Sequence, residues 1–340
     1  MFFLVMTQER QNRVRYGIVG FGGFAERAIM PAIRASANSE LVAIQKRSLS
    51  AAKLKADEHH IPLAFNSVEE LVHHGDIDAV FITSANSQHC PETLVAAKAR
   101  KHILVEKPMA LNASEAKKMI DACKKQRVRL MVGHMVRLSP LTLRIKELIR
   151  SGSIGKVTFV KTEYMYDGRT SRRGWLQDIR IAGGGPLFDI GVHCLDTIKS
   201  ILDAETISVS SLLEPRPTKT RTELTAEVAL RFPKGILASI YCSFAAPIRR
   251  SMIEVIGTEG TLSAVDFTLG NKTIALTVIR GSQGSEGETR TEMINVPNLY
   301  VEETTHFSSC ILKDAKPEIP GEVGLSNQKD LDKAMRMIRS

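Results

Sequence analysis

Arg15-Tyr16-Gly17-Ile18-Val19-Gly20-Phe21-Gly22-Gly23-Phe24-Ala25 decides the architecture of this chain. Arg15 to Val19 reads as a strand, and Phe24 opens a helix that runs to Ser36. Between them stands the pattern Gly-x-Gly-x-x-Ala. Alone, such glycines often mark an ordinary turn. Directly after a strand, opening a helix and inside a βαβ unit, they read as a dinucleotide-binding turn. Gly20 allows the tight turn. Gly22 lets a pyrophosphate approach the backbone at the helix N-terminus, where amide donors and the dipole favour an anion, and Ala25 keeps helix and sheet close.

Outward from this turn, strands and helices alternate as far as about residue 135, which predicts a parallel sheet with helices on both faces. Strands are expected at Leu41 to Gln45, Ala79 to Thr83, Ile103 to Val105 and Arg129 to Val132. Helices are expected at Ser50 to His59, Val68 to His74 and Cys90 to Ala99, with another capped at Asn112 or Ser114 and running to Lys125. Beyond the boundary the pattern changes. A helix at Pro140 to Arg150 is followed by strands with two-residue alternation at Lys156 to Tyr166, Thr206 to Leu213, Glu223 to Phe232, Ile236 to Phe244, Ser251 to Ile256 and Thr261 to Val265. Turn signals such as Pro233-Lys234-Gly235 separate them. The reading is a dinucleotide-binding domain over 13–135 and a second α/β domain over 136–340, built on a mainly antiparallel sheet with a helix on one face. Gly281 to Gly287 reads as a mobile hairpin tip, and no internal repeat is visible.

Composition narrows the class. The chain has 340 residues, 43% apolar and 24% charged, which is ordinary for a soluble protein. No apolar run approaches the ~20 residues that span a bilayer. Residues 1 to 12 read as a frayed leader, too short for a signal-peptide core. Five scattered cysteines, never in a Cys-x-x-Cys pair, argue against a disulfide framework or a metal site and fit a reducing cytoplasm. The net charge of +9 is dispersed and aromatics are 5%, so nucleic acid is not an expected partner.

Several segments carry chemistry. The second strand ends in Gln45-Lys46-Arg47-Ser48, with no acid where NAD sites usually place one for the ribose hydroxyls. Lys46, Arg47 and Ser48 are expected to meet the 2′-phosphate of NADP, because a guanidinium matches phosphate geometry. Thr83, Ser84, Ala85, Asn86 and His89 follow the next strand and suit contact with a ribose or nicotinamide, although for His89 alone local capping or packing is the preferred reading. Glu106-Lys107-Pro108 ends the strand after that, placing an amine at the crevice where open α/β sheets bind ligands. Gly20, Phe21, Gly22, Gly23, Phe24, Ala25, Glu106 and Lys107 complete the expected cofactor contacts.

The run Gly183-Gly184-Gly185-Pro186-Leu187-Phe188-Asp189-Ile190-Gly191-Val192-His193-Cys194-Leu195-Asp196 supplies the other constellation. On a helix, Asp189, His193 and Asp196 share one face. A histidine beside a carboxylate is a plausible acid–base pair, set against the plainer reading of a solvated polar stripe. His134, Arg137, Tyr164, Arg169 and Trp175 are candidate substrate contacts. Arg172, Arg173 and Arg180 could join Arg169 in receiving a carboxylate or phosphate, or could line an ordinary surface loop.

The Glu-Lys-Pro tripeptide and the Gly-Gly-Gly-x-x-x-Asp-x-Gly-x-His-x-x-Asp segment, in this order behind a Rossmann turn, resemble the Gfo/Idh/MocA family from about Arg13 onward. The resemblance implies an N-terminal Rossmann domain and a C-terminal α/β domain with a large open sheet that often mediates dimers or tetramers. It implies that Lys107, Asp189 and His193 act on the substrate, and that hydride passes between a nicotinamide and a hydroxyl or carbonyl carbon of a sugar, cyclitol or related polyhydroxy compound; Lys46, Arg47 and Ser48 favour NADP(H) over NAD(H). Lys46 stands where many NAD-using members carry Asp. Two alternatives share the fold: a non-catalytic dinucleotide sensor, and a glycosidase that oxidises its substrate transiently with tightly held NAD. No metal is expected.

Overall fold

The computed structural model describes residues 12–171, 173–281 and 287–336. Arg172, most of the leader read at 1 to 12 and the centre of the Gly281 to Gly287 segment lie outside them. By contacts the chain divides into two units, Met1–Gly133 with Tyr300–Leu325, and His134–Leu299 with Ser326–Ser340.

The first unit holds a six-stranded parallel sheet: β1 (Val14–Val19), β2 (Ser39–Gln45), β3 (Leu63–Phe65), β4 (Ala79–Ile82), β5 (His102–Val105) and β6 (Leu130–Val132), in the order β3-β2-β1-β4-β5-β6. This is the doubly wound Rossmann order, which reverses between β1 and β4 and opens a crevice at their carboxyl ends. β4 is apolar and buried at every position, as a strand covered on both faces must be. The helix after β1 begins as a π-helix, Ala25–Ile29, and continues as an α-helix, Met30–Ala35.

Residues 300–325 belong to this unit, which the linear pattern does not foretell. Helix Leu299–Leu312 meets this unit through hydroxyls and an amide: Tyr16 Oη to Ser308 Oγ at 2.8 Å, Ser39 Oγ to Ser308 Oγ at 2.8 Å, and Asn38 Nδ2 donating to the Thr305 backbone carbonyl at 3.0 Å. Farther on, Val132 N–H donates to Ile319 O at 3.0 Å at the β6 edge.

The second unit is built on eight strands: β7 (Val157–Asp167), β8 (Ser208–Glu214), β9 (Thr225–Arg231), β10 (Leu237–Ser243), β11 (Ala245–Gly257), β12 (Gly260–Val265), β13 (Lys272–Arg280) and β14 (Glu288–Val296). Their order is β14-β13-β12-β11-β7-β10-β9-β8. Every pairing is antiparallel except β7 with β10. One face is core: Val160, Thr162, Tyr164, Ile240, Cys242, Ile253 and Val255 are buried. Helix Val192–Leu202 is buried at every residue but its last, and a Cβ on Gly191 just before it would stand 3.0 Å from Cys242 Sγ. The alternate residues, among them Phe159, Lys161, Glu163, Tyr241, Met252 and Glu254, remain partly exposed on the other face. All five cysteines are free and buried. Among the described residues no helix is long and apolar enough to cross a membrane.

Candidate active site

Gly20 has φ +76°, and a Cβ there would meet Ser84 Cα at 2.7 Å and Ser84 N at 2.8 Å. Only glycine satisfies both conditions, so the ends of β1 and β4 close on each other here. Thr83 fastens the same junction, its Oγ1 lying 3.0 Å from Val19 O and 3.1 Å from Gly20 O. Gly22 and Gly23 are exposed, and a Cβ on Gly22 would find nothing nearer than Gly20 O at 3.7 Å. The backbone over Gly22 is therefore open to an approaching anion, as a dinucleotide pyrophosphate requires. Ala25 is 1% exposed and packs inward.

At the end of β2, Gln45 Oε1 accepts from Gly20 N–H at 3.0 Å, and Lys46 Nζ donates to Phe21 O at 2.6 Å while lying 5.7 Å from the Phe21 ring centre. Lys46 thus buttresses the glycine turn. Ser48 caps the helix Leu49–Glu58 by accepting from Ala51 N–H at 3.3 Å. Arg47 is exposed, with no hydrogen bond or ion pair among the described residues. Glu26, Glu58 and His59 come together beside this turn, but Lys55 Nζ lies 2.8 Å from both carboxylates and already supplies the cation.

At the end of β5, Lys107 is partly buried and Glu106 buried, with Lys107 N–H donating to Glu106 Oε2 at 3.2 Å. His89 is 1% exposed, with Nδ1 2.9 Å from Pro108 O and Nε2 3.1 Å from Ser84 O. Burial pushes it down to about 4, the Lys107 charge acting in the same sense. A neutral ring carries one N–H, so the shorter contact to Pro108 is the hydrogen bond. This corrects the expectation of a cofactor contact: both ring nitrogens face the backbone, and His89 ties the lysine turn to the β4 end. Ser84 Oγ donates to Glu92 Oε2 at 2.5 Å, and burial raises Glu92 to about 7.

In the second unit, Asp189, His193 and Asp196 are 6%, 5% and 1% exposed, which removes the solvated-stripe reading. Asp189 lies in the π-helix Leu187–Gly191, and His193 in the first turn of the α-helix that follows. Arg173 grips Asp189 with both terminal nitrogens, at 3.1 and 2.9 Å, and Tyr166 Oη donates to Asp189 Oδ2 at 2.8 Å. Burial and the Asp189 charge push the Tyr166 phenol far up, so it stays a proton donor. The Tyr164 ring stands 6.2 Å from the His193 ring and takes a 2.6 Å hydrogen bond from Arg249.

Asp196 anchors a separate network. Arg137 Nε donates to its Oδ2 at 2.8 Å, and Asn327 Nδ2 donates to its Oδ1 at 2.7 Å and to His134 Nε2 at 3.2 Å. His134 Nδ1 lies 4.0 Å from Asp196 Oδ2. Burial alone would raise the Asp196 carboxyl; His134, Arg137 and Asn327 outweigh it and hold it below its ordinary value.

Comparison with known proteins decides the family. The model described as "Oxidoreductase family, NAD-binding Rossmann fold" matches residues 14–134, and that of the "GFO/IDH/MocA C-terminal domain" matches 142–263. The chain belongs to the Gfo/Idh/MocA family. It is an NAD(P)-dependent oxidoreductase of the dehydrogenase/reductase type. It is 30% identical to 1,5-anhydro-D-fructose reductase of Ensifer adhaerens, over 92% of each chain. It is 28% identical to D-xylose 1-dehydrogenase (NADP(+)) 2 of Haloferax volcanii, over 93% of this chain and 95% of that one. The crystal structure of aldose-aldose oxidoreductase from Caulobacter crescentus complexed with glycerol superposes with a TM-score of 0.86 at 27% identity, covering 96% of this chain and 98% of that one.

Against this Gfo/Idh/MocA frame, the arginine-rich segment differs from its sequence reading. Arg169 pairs with Asp167 at 2.9 Å, Arg180 with Asp178 at 2.6 Å and Arg173 with Asp189 at 2.9 Å. Each described arginine there is already matched to a carboxylate, so they do not form an open anion cluster. His134 and Arg137 likewise serve Asp196 from within the fold. Trp175 is partly exposed in the short helix Gly174–Gln177. Sequence reasoning missed Glu223, which is 0% exposed and accepts from Gly185 N–H at 2.9 Å and Leu187 N–H at 3.2 Å, capping the glycine run. It also missed Arg249 and Asn327, whose partners lie 85 and 193 or 131 residues away, beyond any local pattern.

Proposed function

We propose that this Gfo/Idh/MocA member interconverts a hydroxyl and a carbonyl carbon of a sugar, cyclitol or related polyhydroxy compound, with NADP(H) preferred over NAD(H). The sugar assignment is supported by the relatives, whose names specify anhydrofructose, xylose and aldoses. The cofactor assignment is carried by Arg47, an exposed cation just past the end of β2 with no partner among the described residues, in a segment with no acid between Ile44 and Leu49. A phosphate on the ribose would meet that guanidinium, with Ser48 beside it.

Lys107 hydrogen-bonds the reacting oxygen and stabilises negative charge as it develops there. His193 takes the hydroxyl proton in oxidation and returns it in reduction, the general acid–base role an imidazole fills. Asp189, fixed by Arg173 and Tyr166, holds the start of the His193 helix in register. The nicotinamide, when bound, supplies the hydride acceptor or donor. The open face of the eight-stranded sheet joins copies into a homodimer or homotetramer.

The test is NADPH and NADH absorbance with a panel of aldoses, anhydro sugars, cyclitols and lactones. Turnover with NADPH and a polyhydroxy substrate is expected. Arg47→Ala should weaken NADPH by about 10-fold or more and leave NADH nearly unchanged, since a charge-assisted hydrogen bond is worth about 1.5–3 kcal/mol. Tighter NADH than NADPH binding to the wild type overturns the cofactor assignment.

A further inference from the structure

The ladder between β7 and β11 is broken beside the His193 cluster. Ala245 pairs with Asp167 and Arg250 with Met165, which leaves Ala246, Pro247, Ile248 and Arg249 opposite Tyr166 alone. Such a bulge bends the strand and re-aims the side chains it carries. Here it lays Arg249 on Tyr164. The guanidinium carbon is 5.6 Å from the ring centre, and one terminal nitrogen donates to Tyr164 Oη at 2.6 Å. The same ring stands 6.2 Å from the His193 ring. Arg249 and His193 therefore share one aromatic neighbour, a separation that a six-carbon substrate spans with a hydrogen bond at each end.

Tyr164 is buried, whereas Arg249 is exposed. A guanidinium stacked on a ring is fixed in place at little further entropic cost, and the phenol occupies only one of its N–H donors. The remaining donors face no carboxylate among the described residues. Arg169, Arg173 and Arg180 differ in this respect, each being spent on an aspartate. Arg250, next in the chain, reaches Met252 Sδ at 3.4 Å rather than an acid. The Asp189 carboxylate is answered by Arg173, so the charge left uncompensated in this cluster is positive. A rigid cationic fork with open donors matches a planar or tetrahedral oxyanion.

We propose that Arg249 is a specificity-determining residue that receives a terminal oxyanion of the substrate, so that the preferred compound is an acidic polyhydroxy compound: a sugar bearing a carboxylate or a phosphate. The proposal rests on the reading of His193 as the group that exchanges the hydroxyl proton, and adds the substrate class to it.

The test uses the cofactor-saturated protein and sugars of gluco, galacto and manno configuration, each as the neutral parent, the uronate and the terminal phosphate. The wild type should favour an anionic form over its parent by about 10-fold or more in kcat/KM, the reach of one charge-assisted hydrogen bond. The uronate and phosphate arms tell which oxyanion is read. Arg249→Gln should cut that preference by about 10-fold or more, through KM rather than kcat, and Arg249→Lys, which keeps the charge without the fork, should recover part of it. KM for the anionic form should rise with salt while that of the parent stays level. A wild type that turns over the neutral parent as well as either anionic form, or an Arg249→Gln protein with its preference intact, overturns the proposal. Should Arg249→Gln fail to fold, the salt dependence decides, and a KM for the anionic form that ignores salt overturns it. If His193→Ala turns over normally or no compound reacts, the active-site reading fails on its own account. Calorimetric binding of the uronate and the phosphate still reports on Arg249: weaker binding to Arg249→Gln than to the wild type supports the oxyanion site, and equal binding overturns it.

Discussion

At the residue scale, His193 is the group to test first. It is 5% exposed beside the Tyr164 ring, and the residues of the glycine turn are untouched by its removal. His193→Ala should lower kcat by about 10²–10⁴, the usual contribution of a general acid–base, with NADPH affinity unchanged by fluorescence titration. Arg173→Ala should be costly for a different reason: it takes the bidentate partner from buried Asp189, and because the guanidinium is 42% exposed and Tyr166 still donates to the carboxylate the loss should be about 1–3 kcal/mol, measurable by urea titration. Much of the candidate site was legible at this scale because it lies in local motifs. Lys107 follows directly from a strand end, and Asp189 and His193 from one helical turn. The clamps on these groups were not legible. Arg173 was visible as one cation among several, and nothing in its neighbourhood says that it grips Asp189 while Arg169 and Arg180 turn to Asp167 and Asp178. Tertiary pairing chose between chemically identical side chains.

Among the elements, the glycine run shows why a sequence pattern can be right for an unforeseen reason. Three successive glycines at 183–185 suggest a backbone that a ligand can approach, yet a Cβ on Gly185 would lie 2.1 Å from Glu223 O, a backbone atom that cannot yield. Gly185→Ala should therefore cost at least ~3 kcal/mol, seen as a lowered urea midpoint, and should loosen the helix carrying His193. The Rossmann strands were readable because β1, β4 and β5 are short apolar runs punctuated by glycine and proline. β14 was not legible, because the strand Glu288–Val296 is polar and exposed over most of its length and offers little alternation to read, whereas β13 does alternate, with Ile274, Leu276 and Val278 buried, and is a strand that the sequence reading left out. The long helices of residues 299–336 went unassigned as well. Their packing partners are hydroxyls and amides more than 250 residues away for Tyr16, Asn38 and Ser39.

For the whole molecule, buried acids shape the response to pH. Glu92 is raised to about 7 by burial, and Glu223 and Glu303 are raised by burial as well. The fold binds these protons more tightly than the unfolded chain does. Their contribution is complete below the ordinary carboxyl pKa of about 4.5 and is lost as pH rises through the folded values. The melting temperature should fall between pH 5 and 8, and Glu92→Gln should recover about 1–3 kcal/mol at pH 8 and flatten the slope. Below pH 5 the lowered Asp196 acts in the opposite sense, so stability peaks at mildly acidic pH. Association is the second whole-molecule property. The sheet face away from the helices mixes Phe159, Tyr241, Met252 and Ile256 with Lys161, Glu163, Glu227 and Glu254, and Lys161 pairs with Glu163 at 2.8 Å. Sedimentation at micromolar concentration is expected to give a multiple of 37.5 kDa, and Met252→Asp to shift the protein toward the single chain.

The dinucleotide-binding unit is closed by residues 300–325, through Ser308 on Tyr16 and Ile319 on Val132. Synthesis is vectorial, so the half that leaves the ribosome first cannot finish folding until nearly the whole chain has been made. Its glycine turn must wait through the emergence of the entire second sheet before its final helix arrives. Throughout that interval the nascent Rossmann sheet carries bare hydroxyls at Tyr16 and Ser39 and an open edge at β6, which is where a chaperone would find this chain.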